Sequence, residues 1–101
     1  LSKSLAIVNV QVSYDADLDE VDKILTNFCK KLTKELPDLK GNVNLDGIDE
    51  LADSGITYRI SVETKPLKNI EIARKIRKEV KMELDRNNIE IPFPQVVIHH
   101  E

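Results

Sequence analysis

Aromatic side chains are scarce in this chain, which holds two Tyr, two Phe and no Trp. A domain that stacks RNA bases needs aromatics on its central strands. Only Tyr58 falls on such a strand here, and it shares a side with the apolar Ile56 and Ile60. A single cysteine, Cys29, excludes an internal disulfide framework and a thiolate metal cluster. It sits among Phe28 and Leu32 in helical sequence, where a thiol serves as a small packing residue. No run of 18 apolar residues occurs, so no segment reads as a membrane-spanning helix. No signal-peptide pattern is read ahead of the first expected strand. An excess of positive charge is missing too: 15 Lys and Arg against 18 Asp and Glu leave −3. That balance argues against nucleic acid as a partner, because duplex binding needs a basic surface.

What is present is a small α/β pattern in which 33% of residues are charged. At 101 residues the chain suffices for one domain with a single modest core. Leu5 to Ser13 alternates, with Val8, Val10 and Val12 on one face and Asn9, Gln11 and Ser13 on the other, the period of a half-buried strand. Asp17 is placed to cap a following helix, with Glu20 three residues on. Leu18, Val21, Ile24, Leu25, Phe28, Leu32 and Leu36 make its apolar stripe. Acids crowd its first turns and Lys30, Lys31 and Lys34 its last, a distribution that complements the helix dipole. Pro37 stops the helix.

Gly41 opens a second strand in which Val43 and Leu45 alternate with Asn42, Asn44 and Asp46, until Gly47 breaks the phase and implies a bulge or bend. Ile48 and Leu51 are expected to anchor an irregular piece after it. Asp53-Ser54-Gly55 makes a turn. The third strand has the cleanest alternation, with Ile56, Tyr58, Ile60 and Val62 inward and Thr57, Arg59, Ser61 and Glu63 outward. A second helix is expected from Lys68 to Arg86, burying Ile70, Ala73, Ile76, Val80 and Leu84, with a left-handed cap from Asn87-Asn88. Ile89 to Ile91 would be a short fourth strand. The order β-α-β-β-α-β defines an α+β, ferredoxin-like two-layer sandwich.

Ferredoxin-like domains host many activities, and the constellations that would mark one are missing. A metal-transfer domain would carry a Cys pair in the loop after the first strand, which here reads Tyr14-Asp15-Ala16-Asp17. An acyl-phosphate hydrolase would hold an anion there, and Asp15 and Asp17 repel one. His99 and His100 are adjacent, so on a strand they point to opposite faces and do not share one ion. No catalytic, cofactor or metal site is read from the sequence, and an enzyme is not expected.

The last stretch is the most distinctive. Ile91-Pro92-Phe93-Pro94 forms a stiff extended spacer, because proline fixes φ, lacks an amide donor and restricts the residue before it. Val96 to His100 beyond it either complete the domain's own sheet or leave it to pair elsewhere, since a bare edge is a pairing template. Residues 1–91 are therefore divided as the ferredoxin-like domain. Residues 92–101 form the spacer (Pro92, Phe93, Pro94) and a surplus strand (Gln95, Val96, Val97, Ile98, His99).

Ile91-Pro92-Phe93-Pro94-Gln95, following a long basic helix and an Asn turn, resembles the end of the cytoplasmic domain of the small-conductance mechanosensitive channel (MscS) family. Val10-Gln11-Val12-Ser13-Tyr14-Asp15-Ala16-Asp17 leading into Val21-Asp22-Lys23-Ile24-Leu25 is similar to it as well. So is Val43 to Leu51 followed by Ala52-Asp53-Ser54-Gly55-Ile56. These segments keep the family's order and spacing from about Ile7 onward. The resemblance implies the cytoplasmic side of a membrane channel that opens under bilayer tension and releases ions and small osmolytes in hypo-osmotic shock. In that family seven subunits enclose a hollow vestibule with side portals, closed by a barrel of one strand per subunit. Carried onto this chain, Val96 to His100 would be the barrel strand that pairs between subunits of a homo-oligomer. Asp46, Arg59 and Glu63 become candidate vestibule or portal charges acting on permeating ions. The chain opens directly into strand-like sequence at Leu1, so it reads as a piece of a longer protein whose membrane segments lie elsewhere. The alternative is a soluble ferredoxin-like ligand-binding or assembly module of a cytosolic protein.

Overall fold

The computed structural model describes residues 2–92. The order is β1 (Ser4–Val12), α1 (Leu18–Glu35), β2 (Asn44–Leu51), β3 (Ile56–Thr64) and α2 (Asn69–Arg86). The sheet runs β1-β3-β2, with β3 antiparallel to both neighbours. β1 and β2 are therefore parallel with β3 between them, in an α+β domain of one three-stranded sheet and two helices. Both helices cover one face, α2 over β1 and α1 against β2, and the other face carries no helix among the described residues.

The start of α1 and the end of α2 each have a local cause. The Asp17 carboxylate accepts from the amides of Asp19 (3.0 Å) and Glu20 (3.3 Å), satisfying two orphan donors of α1. Val21, Leu25, Phe28, Cys29 and Leu32 are buried from this helix. Tyr58, fully buried on β3, donates its hydroxyl to Asp22 Oδ1 at 2.8 Å and so ties helix to sheet. Its phenol pKa is pushed well up, first by burial and then by that bond to Asp22.

At the far end of α2, Asn88 adopts a left-handed φ of 56°. Its amide donates to Asp85 O (3.2 Å), and the Ile89 amide donates to Leu84 O (2.9 Å). These two bonds form a Schellman motif, with Ile89 packed beside the buried Leu84 in the apolar contact that accompanies it. This cap corrects one expectation: among the described residues Ile89 to Ile91 do not form a fourth strand. The Ile89 amide is committed to the helix end and Pro92 has none, so little is left to pair. The segment's backbone link to β1 is the Ser13 amide donating to Glu90 O at 3.1 Å.

Other expectations are corrected by the same kind of local geometry. α2 buries Ile72, Ala73, Ile76, Val80 and Leu84, while Ile70 is 61% exposed. Ile70 and Ile72 lie 200° apart on a helix, so only one of them can face the sheet. β2 continues through Gly47 to Leu51, with register shifts at Leu45/Gly47 and Ile48/Glu50. Gly47 meets the bulge with φ of 119°, a conformation that favours glycine. The two shifts turn Ile48 and Leu51 outward, so neither anchors the core. Thr57 and Ser61 lie opposite the helices as expected, yet both are buried. They are short side chains on the central strand, flanked on β1 by Gln11 and Ile7 and on β2 by Glu50 and Asn44.

Phe93 to Glu101 lie outside the described residues, and with them the surplus strand Val96 to His100. Pro92 is described, and it is pinned. A Cβ added to Gly55 would come within 2.5 Å of Val12 O and 2.8 Å of Pro92 Cγ. The turn before β3, the end of β1 and the chain's exit therefore meet at one close-packed point that only glycine fits.

Candidate functional site

The helix-free face of the sheet is where the sequence-derived charges gather. Residues paired across the ladders share a face, so Leu5, Ile7, Asn9 and Gln11 of β1 stand beside Glu63, Ser61, Arg59 and Thr57 of β3. Leu5 and Ile7 are 47% and 39% exposed, and the rest of this set is polar. Gln11 Nε2 donates to Thr57 Oγ1 at 3.4 Å.

All three candidate charges are on this face, and each has a partner. Arg59 Nε lies 3.1 Å from Asp46 Oδ2 across the bulge of β2. That nitrogen is buried and donates no well-directed hydrogen bond, so charge rather than hydrogen-bond geometry holds the contact. Glu63 pairs with Lys3. Both pairs are partly solvated, which limits each to about 1 kcal/mol of stability or less. Their stronger consequence is that the face is nearly neutral pair by pair. Of the predicted spacer, Pro92 sits at the rim of the sheet; Phe93, Pro94 and the strand residues Gln95, Val96, Val97, Ile98 and His99 fall outside the described residues.

Clefts open elsewhere, among them one at each end of the sheet. One, of about 490 Å³, lies between the C-terminal half of α1 and the start of β2, with Cys29, Val43 and Leu45 at its floor and Lys30, Lys34, Asn42 and Asn44 at its rim. The other, of about 530 Å³, is at the opposite end of the sheet and is lined by Asp15, Asp17, Glu20 and Glu90 with Asn87 and Asn88. Sequence reading missed the first cleft. Its lysines were accounted for as the dipole complement of α1, and the loop that closes it comes from a separate segment. Among the described residues no group of three or more His, Cys, Asp or Glu could hold a metal ion. No helix of these residues is long and apolar enough to cross a membrane.

Residues 6–91 match the family model described as "Mechanosensitive ion channel MscS, C-terminal". The small-conductance mechanosensitive channel of Caldanaerobacter subterraneus subsp. tengcongensis is 29% identical over 94 residues, 93% of this chain and 33% of that protein. That of Edwardsiella ictaluri is 33% identical over 90 residues, 89% of this chain and 30% of that protein. The chain thus spans about a third of these relatives' length. A crystal structure of Helicobacter pylori MscS in its closed state shares the fold at a TM-score of 0.74 and 21% identity, covering all of this chain and 39% of that one.

The buried Cys29 gives a direct check on the α1–β2 packing. Burial, and secondarily the Asp46 carboxylate, pushes its thiol up to about 11. The reactive thiolate is then rarer at pH 8 than in an unfolded chain by a factor on the order of 10². Iodoacetamide should label native Cys29 at least that much more slowly than the denatured protein. Equal rates would mean that the thiol is not packed between helix and sheet.

Proposed function

The chain belongs to the family of C-terminal domains of MscS-type mechanosensitive channels, and from that premise we propose that it forms part of the wall of the channel's cytoplasmic vestibule. The observation that carries this reading is the family match over residues 6–91, nearly the whole described domain. In the proposal the complete protein is a homo-oligomer, a heptamer, at the cell membrane, with this domain on the cytoplasmic side. The domain holds subunits together and filters ions and osmolytes released in hypo-osmotic shock. It turns nothing over; its work is mechanical and electrostatic.

The open sheet face supports a solvent-facing role. A sheet with one face packed and one face polar is built to meet water on the second. Asp46, Arg59 and Glu63 on that face would set the local potential met by permeating ions. Because Asp46 and Arg59 are paired, reversing either one leaves two like charges together, so a single substitution should act strongly. Single-channel recordings of the full-length protein carrying Asp46→Lys, Arg59→Glu or Glu63→Lys should show altered anion–cation preference. Unchanged preference in all three would remove this face from the ion path.

Assembly is assigned to the terminal strand. Val96, Val97 and Ile98, if fully buried between subunits, would each contribute about 1.5–3 kcal/mol. Association costs roughly 4–15 kcal/mol in lost translational and rotational freedom. These magnitudes nearly cancel, so the 101-residue chain should be monomeric when dilute and associate as concentration rises. Light scattering across a concentration series should show that rise for the intact chain and not for one ending at Ile91. Equal association of the two would show that Val96 to His100 are not the intersubunit strand.

A further inference from the structure

The cleft between α1 and β2 has the chemistry of a small-ligand site. Its volume of about 490 Å³ lies within the range of roughly 300–1,000 Å³ typical of such sites. The walls are preset by one side chain. Thr33 Oγ1 donates to Cys29 O within α1 (2.8 Å) and accepts from the Val43 amide (2.9 Å), so the loop entering β2 is clamped to the helix. The floor is apolar: Cys29 and Val43 are buried, and Leu45 packs against the same core. The Cys29 thiol is protonated at neutral pH and adds no charge there.

The rim is of one sign. Lys30 and Lys34 are one turn apart on α1 and so share one helix face at the cleft. Neither is ion-paired among the described residues. No carboxylate lines the cleft; the Asp46 carboxylate acts on Cys29 at the floor from outside it, and is itself paired with Arg59. Across from the lysines, Asn42 and Asn44 bring side-chain amides that can donate to an anion. Two unpaired cations beside an apolar floor fit a ligand with a negative head and a short hydrocarbon body.

We propose that this cleft binds a small organic monocarboxylate, its head between Lys30 and Lys34 and its body on Cys29, Val43 and Leu45. The site lies on one chain and requires neither the ring nor the membrane, so it stands or falls independently of the vestibule reading. The lysines are solvent-exposed, which screens the attraction and sets the affinity low, with a Kd on the order of 1 mM.

The test is a titration of the chain with hexanoate, followed by amide chemical shifts, with acetate and inorganic phosphate in parallel. Hexanoate should give saturable shifts centred on Cys29, Lys30, Lys34, Val43 and Leu45. Acetate lacks the apolar body, and phosphate lacks both body and carboxylate; each should bind about tenfold more weakly or less. The exposed pair Lys30→Gln and Lys34→Gln, changed together, should keep the remaining spectrum and weaken hexanoate by about tenfold. The proposal is overturned by any of three results: no saturable shift with hexanoate up to about 50 mM, phosphate or acetate binding as tightly as hexanoate, or the double variant binding like the unaltered chain.

Discussion

The fold depends on β3 being hydrogen-bonded on both sides. Nine of its residues pair with β1 in unbroken register, from Ile56 with Val12 to Thr64 with Ser4. The same strand carries β2 on its other edge. Its helix-facing side chains, Ile56, Tyr58, Ile60 and Val62, are all buried. Even the connection after α1 is drawn to it, through the Lys40 amide to Glu63 O and the Lys65 amide to Asp38 O, both at 2.8 Å. A central strand paired on both edges has no unsatisfied backbone to offer a competing structure. The helices then need only cover one of its faces.

The two edges of this sheet are handled differently. β2 is interrupted by two register shifts and carries Asp46, Asp49 and Glu50. Bulges and charge are the usual means of keeping an edge from pairing with a foreign strand. β1 is regular from Ser4 to Val12 and bears no charged residue. Among the described residues its upper end meets only the Ser13–Glu90 bond, where the chain leaves through Pro92 over Gly55. The rigid block therefore has a guarded edge, a plain edge and a fixed exit. In the vestibule reading, that fixed exit is what would let a terminal strand leave each copy in a defined direction.

The sequence made some of this plain and hid the rest. The β3 alternation, the Asp17 cap and the left-handed Asn88 were legible because each depends on residues near one another in the chain. The choice of Ile72 over Ile70 was not, since both are apolar and only packing against the sheet decides which is buried. Ile48 and Leu51 looked like anchors, because a bulge at Gly47 was foreseen without knowing that a second shift would turn them outward. Ile89 to Ile91 have strand-like composition, but the Ile89 amide is claimed by the end of α2. For the candidate site, alternation placed Asp46, Arg59 and Glu63 on the helix-free face, while their pairing with one another and with Lys3 needed the register. The α1–β2 cleft was invisible because it joins residues from two separate segments.

Native-state hydrogen exchange tests this hierarchy most directly. If β3 organises the domain, the amides of Tyr58, Ile60 and Val62 should exchange only through global unfolding, with free energies that match the equilibrium stability. Amides of β2 from Asp46 to Glu50 should open at lower cost, through local fraying of a bulged edge. Exchange from β3 as fast as from that edge would contradict the account. The block would then not be a rigid element about a central strand, and a wall built from it could not hold its shape.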